Sequence, residues 1–390
     1  MTASLSTVHV SHRGEDRLRR GHPWIYRSDV TRASAASGDL VTVIGPRERK
    51  LGEALWSDRS QIALRMMTAG EQTVGEHGWR ERLAAAIAFR GSLNIDATAY
   101  RLVHGEADRL PALIVDRYAE VLVVQALAQG MDRRLDELTG LLVDLLHPKG
   151  VLARNDPKVR MLEGLEQKIE VRYGDVPETV EVREGPVTCD VDVRHGQKTG
   201  LFLDQRENRE AASKYAHGRM LDCFSYNGGF ALYLAKQCAT VHALDASADA
   251  VARIAANAAR NGLANVTAGE ANVFDELRHY ERTGERFDTI VLDPPAFAKN
   301  KASVEKAIAG YKDINLRALR ILSPGGVLVT CSCSYNVSED LFGSILHEAS
   351  VDSRVPMTVV EKRMQGRDHP VLLGVAETHY LKCFILRRVE

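Results

Sequence analysis

Apolar and polar positions alternate with three different periods along the chain. In the first stretch, short period-two runs at residues 39–44 and 61–66, punctuated by Gly38 and Gly45, predict strands of a small β-rich module. In the second, residues 79–93 carry a helical period rich in Ala and Arg, and strands are predicted at 113–115 and 121–125 around a turn at 116–120. An amphipathic helix follows from about 132 to 146, stopped by His147-Pro148-Lys149-Gly150, and strands return at 151–154 and 169–173. Strand, strand, helix, strand, strand predicts a compact α+β middle domain. From about residue 190, apolar runs at 220–223, 241–244, 287–292 and 326–331 alternate with helical stretches at 230–237, 248–261 and 304–322. That alternation predicts a parallel sheet covered by helices on both faces, with ligands bound just beyond the carboxyl ends of its strands.

Composition narrows the class. With 390 residues, two or three domains are expected. A hydrophobic share of 45% and a charged share of 26% exclude wholesale disorder, collagen-like sequence and coiled coil. No run approaches the roughly 20 apolar residues of a membrane span, and the first residues lack the apolar core of a signal peptide. A cytoplasmic protein with no membrane association is expected. The six cysteines form no C-x-x-C pair and no disulfide framework, and Cys331 and Cys333 have no neighbours at zinc-ligand spacing, so no metal is expected.

The net charge of −1 conceals a split. Residues 1–70 hold eleven basic and seven acidic residues, whereas the remainder holds 40 basic and 45 acidic. Arg13, Arg17, Arg19, Arg20, Arg27 and Arg32 cluster around Trp24 and Tyr26. On charge alone this is equally a nucleic-acid face or a solvated surface.

Candidate chemistry lies where the sheet pattern places it. After the run at 220–223, Asp222 is followed by Phe224, Tyr226, Gly228 and Gly229 at the entry to a helix, and glycines at such a turn let a ligand approach the backbone. The spacing is not G-x-G-x-x-G, so a dinucleotide pyrophosphate is disfavoured. Asp245, 16 residues beyond Gly229, suits a ribose diol. Each feature alone also reads as structural, as a turn and as a helix cap. In this order they favour an adenosine-containing cofactor without a pyrophosphate, a description that S-adenosylmethionine fits. After 287–292 comes Asp293-Pro294-Pro295-Ala296-Phe297, in which the prolines hold an extended backbone while an acid and an aromatic suit a planar base. The ordinary alternative is a rigid loop. After 326–329 comes Thr330-Cys331-Ser332-Cys333-Ser334, either a packed structural pair or a source of a thiolate able to add to carbon 6 of a cytosine.

These residues, with GEADRLPALIVDRYA (105–119), HGQKTGLFLDQREN (195–208), LDCFSYNGGFA (221–231), LDPPAFAKNKA (292–302), GYKDINLRAL (310–319) and CSCS (331–334), closely resemble the RlmI family of bacterial 23S rRNA cytosine 5-methyltransferases over nearly the whole length. The resemblance implies a PUA-like RNA-binding domain at 1–72, an α+β middle domain at 73–187, and a class I methyltransferase domain with a Rossmann-like, mostly parallel seven-stranded sheet at 188–390. It implies Cys333 as nucleophile, Cys331 as bystander and Asp293 on the polar edge of the cytosine. Asp222, Phe224, Tyr226, Gly228, Gly229, Asp245, Gln205 and Arg206 would hold S-adenosylmethionine. Asn272 occupies the acidic adenine-contacting position, where its carbonyl oxygen can still accept from the adenine amino group. Pro294, Pro295, Phe297, Lys299, Arg19, Arg20 and Trp24 would contact substrate. The implied partner is 23S rRNA or a large-subunit assembly intermediate, with a homodimer left open. Where many RNA cytosine 5-methyltransferases carry a second cysteine after the proline, this chain has Pro295-Ala296, and the base that removes the carbon-5 proton is not identified. The competing expectations are methylation of a base nitrogen, which needs no cysteine, and an inactive RNA-binding or assembly protein.

Overall fold

Alternating burial along short strands organises the amino-terminal part of the computed structural model, which describes residues 5–298 and 303–389. Strands β1 (Thr7–Val10), β2 (Trp24–Tyr26), β3 (Val30–Ala33), β4 (Leu40–Ile44), β5 (Lys50–Trp56) and β6 (Ile62–Met66) form one sheet in the order β2-β6-β5-β4-β1-β3. Their inward positions, among them Val8, Ile25, Val41, Val43 and Leu64, make its core. Helix α1 (His12–Arg19) starts at Ser11, whose side chain accepts from the Gly14 N–H.

A second sheet follows, β11-β10-β9-β8-β7, built from β7 (Ala99–His104), β8 (Leu113–Tyr118), β9 (Val121–Ala126), β10 (Gly150–Asn155) and β11 (Lys168–Gly174). Helices α2 (Gly78–Ser92), the short α3 (Gln129–Asp132) and α4 (Leu135–Leu146) accompany it. Three expectations are corrected here. The middle region has an additional strand, β7; the turn at 116–120 shrinks because β8 continues to Tyr118; and the helix expected from 132 is regular only from Leu135. Asp116 and Arg117 resemble turn residues, but Asp116 is a buried acceptor for the Arg101 guanidinium directly opposite it on β7.

The described chain groups into two units. The first contains both sheets together with Val191–Leu201 and Arg367–Thr378; the second contains Arg183–Asp190, Phe202–Gly366 and the chain from His379 onward. A two-stranded sheet, β12 (Thr179–Glu184) and β13 (Val187–Asp192), carries the chain from one to the other.

The second unit is built on seven strands, β14 (Arg219–Cys223), β15 (Thr240–Asp245), β16 (Val266–Glu270), β17 (Phe287–Leu292), β18 (Leu322–Ser332), β19 (Met357–Arg363) and β20 (Lys382–Arg388). Their order is β16-β15-β14-β17-β18-β20-β19, parallel from β16 to β18, with β20 antiparallel to both its neighbours. Two apolar clusters flank the sheet, so its central strands are buried on both faces and read as continuous apolar runs. Helices α5 (Arg206–Ser213), α6 (Gly229–Leu234), α7 (Ala248–Arg260), α8 (Val273–Thr283), α9 (Val304–Ile321) and α10 (Glu339–Ser353) pack around it. Strand order reverses at β14, so the crevice beyond its carboxyl end is where such a sheet binds ligands.

Candidate active site

The loop leaving β14 is shaped by backbone conformation before side chains enter. Phe224, Tyr226 and Gly228 all take left-handed φ, at 64°, 52° and 83°. The Ser225 N–H donates to the Leu244 carbonyl at 2.9 Å and the Gly228 N–H to the Ser225 carbonyl at 2.9 Å, which fixes this course. A Cβ at Gly228 would press on Leu232 at 3.1 Å as well as meet an unfavourable φ, so the position is closed to larger residues. Asp222, buried at the strand end, accepts from the Ser225 hydroxyl at 2.5 Å and the Ala231 N–H at 3.0 Å. Burial pushes its carboxyl up to about 7, against the lowering effect of those bonds, with Asp293 and Asp245 adding repulsion.

Asp245 ends β15, and its two oxygens accept from the Tyr226 N–H at 2.8 Å and the Ser247 N–H at 3.0 Å. A carboxylate has about four lone-pair sites, so this one can tie two loops and still accept from a diol. Asn272 caps α8: its carbonyl oxygen accepts from the N–H groups of Phe274 at 3.0 Å and Asp275 at 3.4 Å. The oxygen expected to meet an adenine amino group therefore already serves the helix. These residues fit a cationic, adenosine-bearing cofactor: a tight glycine turn, acidic strand ends, and no phosphate-cradling glycine run.

Gln205 precedes α5, buried, and joins the two halves of the site. Its Nε2 donates to Asp293 at 2.9 Å, and its Oε1 accepts from Asn208 at 2.6 Å. Arg206 is also buried. The neighbouring Arg209, which no sequence signal singled out, makes a bidentate pair with Glu184 at 2.6 Å per bond.

Asp293 follows β17, with Pro294 buried and Pro295 exposed. Phe297 packs its ring against Phe274 and Tyr311, with centroids 6.0 and 4.7 Å away. Lys299 lies outside the described residues. Cys333 stands just past the end of β18, half-buried, with its Sγ 3.8 Å from the Pro294 carbonyl oxygen. The thiol and the Asp-Pro-Pro turn are thus neighbours although 39 positions separate Cys333 from Pro294. Cys331 is fully buried opposite Cys383 on β20, and burial holds its thiol well above the ordinary range. Ser334, also buried, rivets the two loops: its Oγ accepts from the Ala298 N–H at 3.1 Å and bonds the Tyr311 hydroxyl at 2.9 Å. Lys382 was not found from the sequence, since a lone lysine beside a strand carries no spacing signal, whereas Ser334 stands in the CSCS segment without any sign of what it would bind. Tyr311 lies in the GYKDINLRAL segment, which is the only hint the sequence offered of it.

In the first unit, Trp24 donates its indole N–H to Glu106 at 2.9 Å and sets its ring edge against His22. Arg19 pairs with buried Glu15 at 3.0 Å, and Arg13 and Arg17 pair with buried Asp29. Arg20 is exposed. Among the described residues no group of three or more His, Cys, Asp or Glu could hold a metal, and no helix is long and apolar enough to cross a membrane.

A mostly parallel seven-stranded sheet with an antiparallel β20, a glycine turn at its switch point and acidic strand ends define a class I S-adenosylmethionine-dependent methyltransferase. Residues 101–385 match the S-adenosylmethionine-dependent methyltransferase family, and residues 8–69 match the PUA-like domain. The chain belongs to the family of ribosomal RNA large subunit methyltransferase I. It is 39% identical over 383 residues to that protein of Shewanella amazonensis, covering 96% of this chain and 97% of the relative. It is 37% identical over 395 residues to that of Tolumonas auensis, covering 98% and 100%. The fold is shared with two solved structures. One, SMU.776, is described as a methyltransferase in complex with SAH (TM-score 0.84, 21% identity, 98% of this chain and 99% of that one). The other, from Streptococcus mutans, is described as a SAM-dependent methyltransferase (0.83, 20%, 98% and 99%).

Proposed function

We propose that this methyltransferase modifies a cytosine of large-subunit ribosomal RNA at carbon 5 through a covalent bond to Cys333. The observation that carries this reading is the half-buried Cys333 thiol 3.8 Å from the carbonyl of Pro294, beside Asp293. S-adenosylmethionine supplies an electrophilic methyl group. Asp222, Phe224, Tyr226, Gly228, Gly229 and Asp245 hold it, aided by Gln205 and Arg206, while Asn272 caps α8. Asp293, oriented by the Gln205 amide, engages the polar edge of the base while Pro294, Pro295 and Phe297 confine its plane, and Lys299 contributes to substrate binding. The Cys333 thiolate forms a bond to carbon 6, and the displaced electron pair makes carbon 5 nucleophilic. After carbon 5 is methylated, its proton leaves, the pair re-forms the ring double bond, and the bond from sulfur to carbon 6 breaks to return the thiolate.

Residues 1–72 serve as the RNA-binding module, 73–187 as the middle domain and 188–390 as the methyltransferase. The substrate is 23S rRNA or a large-subunit assembly intermediate. Cys333→Ala is expected to abolish methyl transfer while S-adenosylmethionine affinity, followed by calorimetry, stays within about twofold of wild type, because an alanine leaves the β14 and β15 loops untouched. Mass spectrometry of nucleosides from modified RNA should show 5-methylcytosine; a methylated adenine or guanine, or normal turnover by the variant, would overturn the reading.

A further inference from the structure

Lys382 opens β20, with only 2% of its surface exposed. Its Nζ donates to the carbonyls of Ser334 at 2.7 Å and Tyr380 at 2.9 Å. Among the described residues no carboxylate stands within ion-pair distance of this buried ammonium. That is unusual, because burying an unpaired charge is costly and buried ions are normally matched by an opposite one. The groups whose charge favours its protonated form are Cys333 first and Glu339 of α10 second. Burial opposes both and brings the lysine down to about 8. Among the described residues, other titratable groups around this end of the sheet include Asp293 beyond β17, Tyr311 of α9, the buried pair Cys331 and Cys383, and Lys362 of β19, which pairs with Glu339 at 3.3 Å. One of the two carbonyls that hold Lys382 belongs to Ser334, the residue after Cys333, so the ammonium and the thiol share one turn.

We infer that Lys382 is a positioning residue for the reaction: its ammonium is the counter-ion of the Cys333 thiolate, and its two carbonyl bonds fix the turn that presents that thiolate to the base. This rests on the reading of Cys333 as nucleophile. A fixed cation beside a thiol favours release of its proton to solvent and so raises the thiolate fraction at neutral pH. A buried cation suits this role better than an exposed one, because water and salt do not screen it.

The test is alkylation of Cys333 by iodoacetamide in the full-length, RNA-free protein, located by peptide mass spectrometry between pH 6 and 10. The thiolate displaces iodide, so the rate follows ionisation and needs neither RNA nor methyl donor. The other five cysteines are buried, which keeps the readout on Cys333. Lys382→Gln, which retains an amide donor but no charge, is expected to slow alkylation about tenfold at pH 7, with the gap closing towards pH 10, while Lys382→Arg stays within about threefold of wild type. Superimposable profiles for Lys382→Gln and wild type, or equal slowing at every pH, would overturn the inference.

Should the glutamine variant fail to fold, the wild-type protein decides by thiolate absorbance near 240 nm with Cys333→Ser subtracted. A Cys333 signal already present at pH 7.5 supports the pair, and a signal that emerges only above pH 9 removes it. The two readings separate cleanly. A pH-dependent alkylation gap together with undiminished methylation by Cys333→Ala would keep the ion pair and discard the nucleophile.

Discussion

Asp222 shows how a single carboxyl can work against the fold that holds it. It is buried, and its folded value of about 7 lies above an ordinary carboxyl at 3.8. A group raised in this way contributes its full stability below about pH 4 and loses it as pH rises through about 7, because the unfolded chain releases the proton first. Asp222→Asn keeps an acceptor for the Ser225 hydroxyl and the Ala231 N–H but never ionises. In unfolding measurements on the cofactor-free protein, the stability of this variant relative to wild type should increase from pH 4 to pH 7 and level off above. A difference that does not change with pH would show that the carboxyl is not perturbed as described. The residue types at the site were legible: Asp222, Asp245, Asp293 and Cys333 stand at strand ends because apolar runs announced those ends. Which of the two cysteines faces outward was not legible from the run itself. Both lie in one C-S-C step, and only the pairing of Cys331 with Cys383 across β18 and β20 shows which thiol is interior.

At the scale of elements, the site is two loops held in register by a serine. Ser334 Oγ binds the Ala298 N–H and the Tyr311 hydroxyl in a buried setting. Ser334→Ala leaves both without this partner, and a loss of about 1–3 kcal/mol in denaturant unfolding is expected. Unchanged stability would mean that the loops are held by other contacts. Strand β7 illustrates why some elements were invisible in the chain. Its sequence, AYRLVH, places Arg101 where an apolar run would continue, and the guanidinium is neutralised by Asp116 directly across the ladder at 2.8 and 2.9 Å. The same Asp116 made β8 look shorter than it is. Asp116 also accepts from the Thr199 hydroxyl at 2.7 Å, so two segments that looked like separate motifs, 105–119 and 195–208, meet at one buried carboxylate. A cross-strand ion pair removes the period-two signal from both partners at once, and sequence order cannot reveal the partner.

For the whole molecule, the surplus of positive charge in the first 70 residues is partly internal. Arg13, Arg17, Arg19 and Arg49 neutralise buried Asp29 and Glu15, and Trp24 is tied to Glu106. Arg19 is therefore a poor probe of RNA binding, since reversing its charge would set it against Glu15. Exposed Arg20 and Arg32 are better. Changing both to Glu should weaken RNA binding and flatten its dependence on salt, by about 0.7–0.9 in logarithmic slope for each phosphate that is no longer neutralised. Filter binding across a salt series measures this, and an unchanged slope would show that these two arginines meet only solvent.

The sequence by itself determined the class of fold and the order of its chemistry, because burial on both faces writes parallel strands as apolar runs and such a sheet places reactive residues after them. Tertiary structure decided which charges are spent on the interior, which cysteine is accessible, what Ser334 binds, and that Lys382 lies against the Cys333 turn. Those depend on which side chains share a buried space, and low-dielectric burial joins groups that sequence keeps far apart.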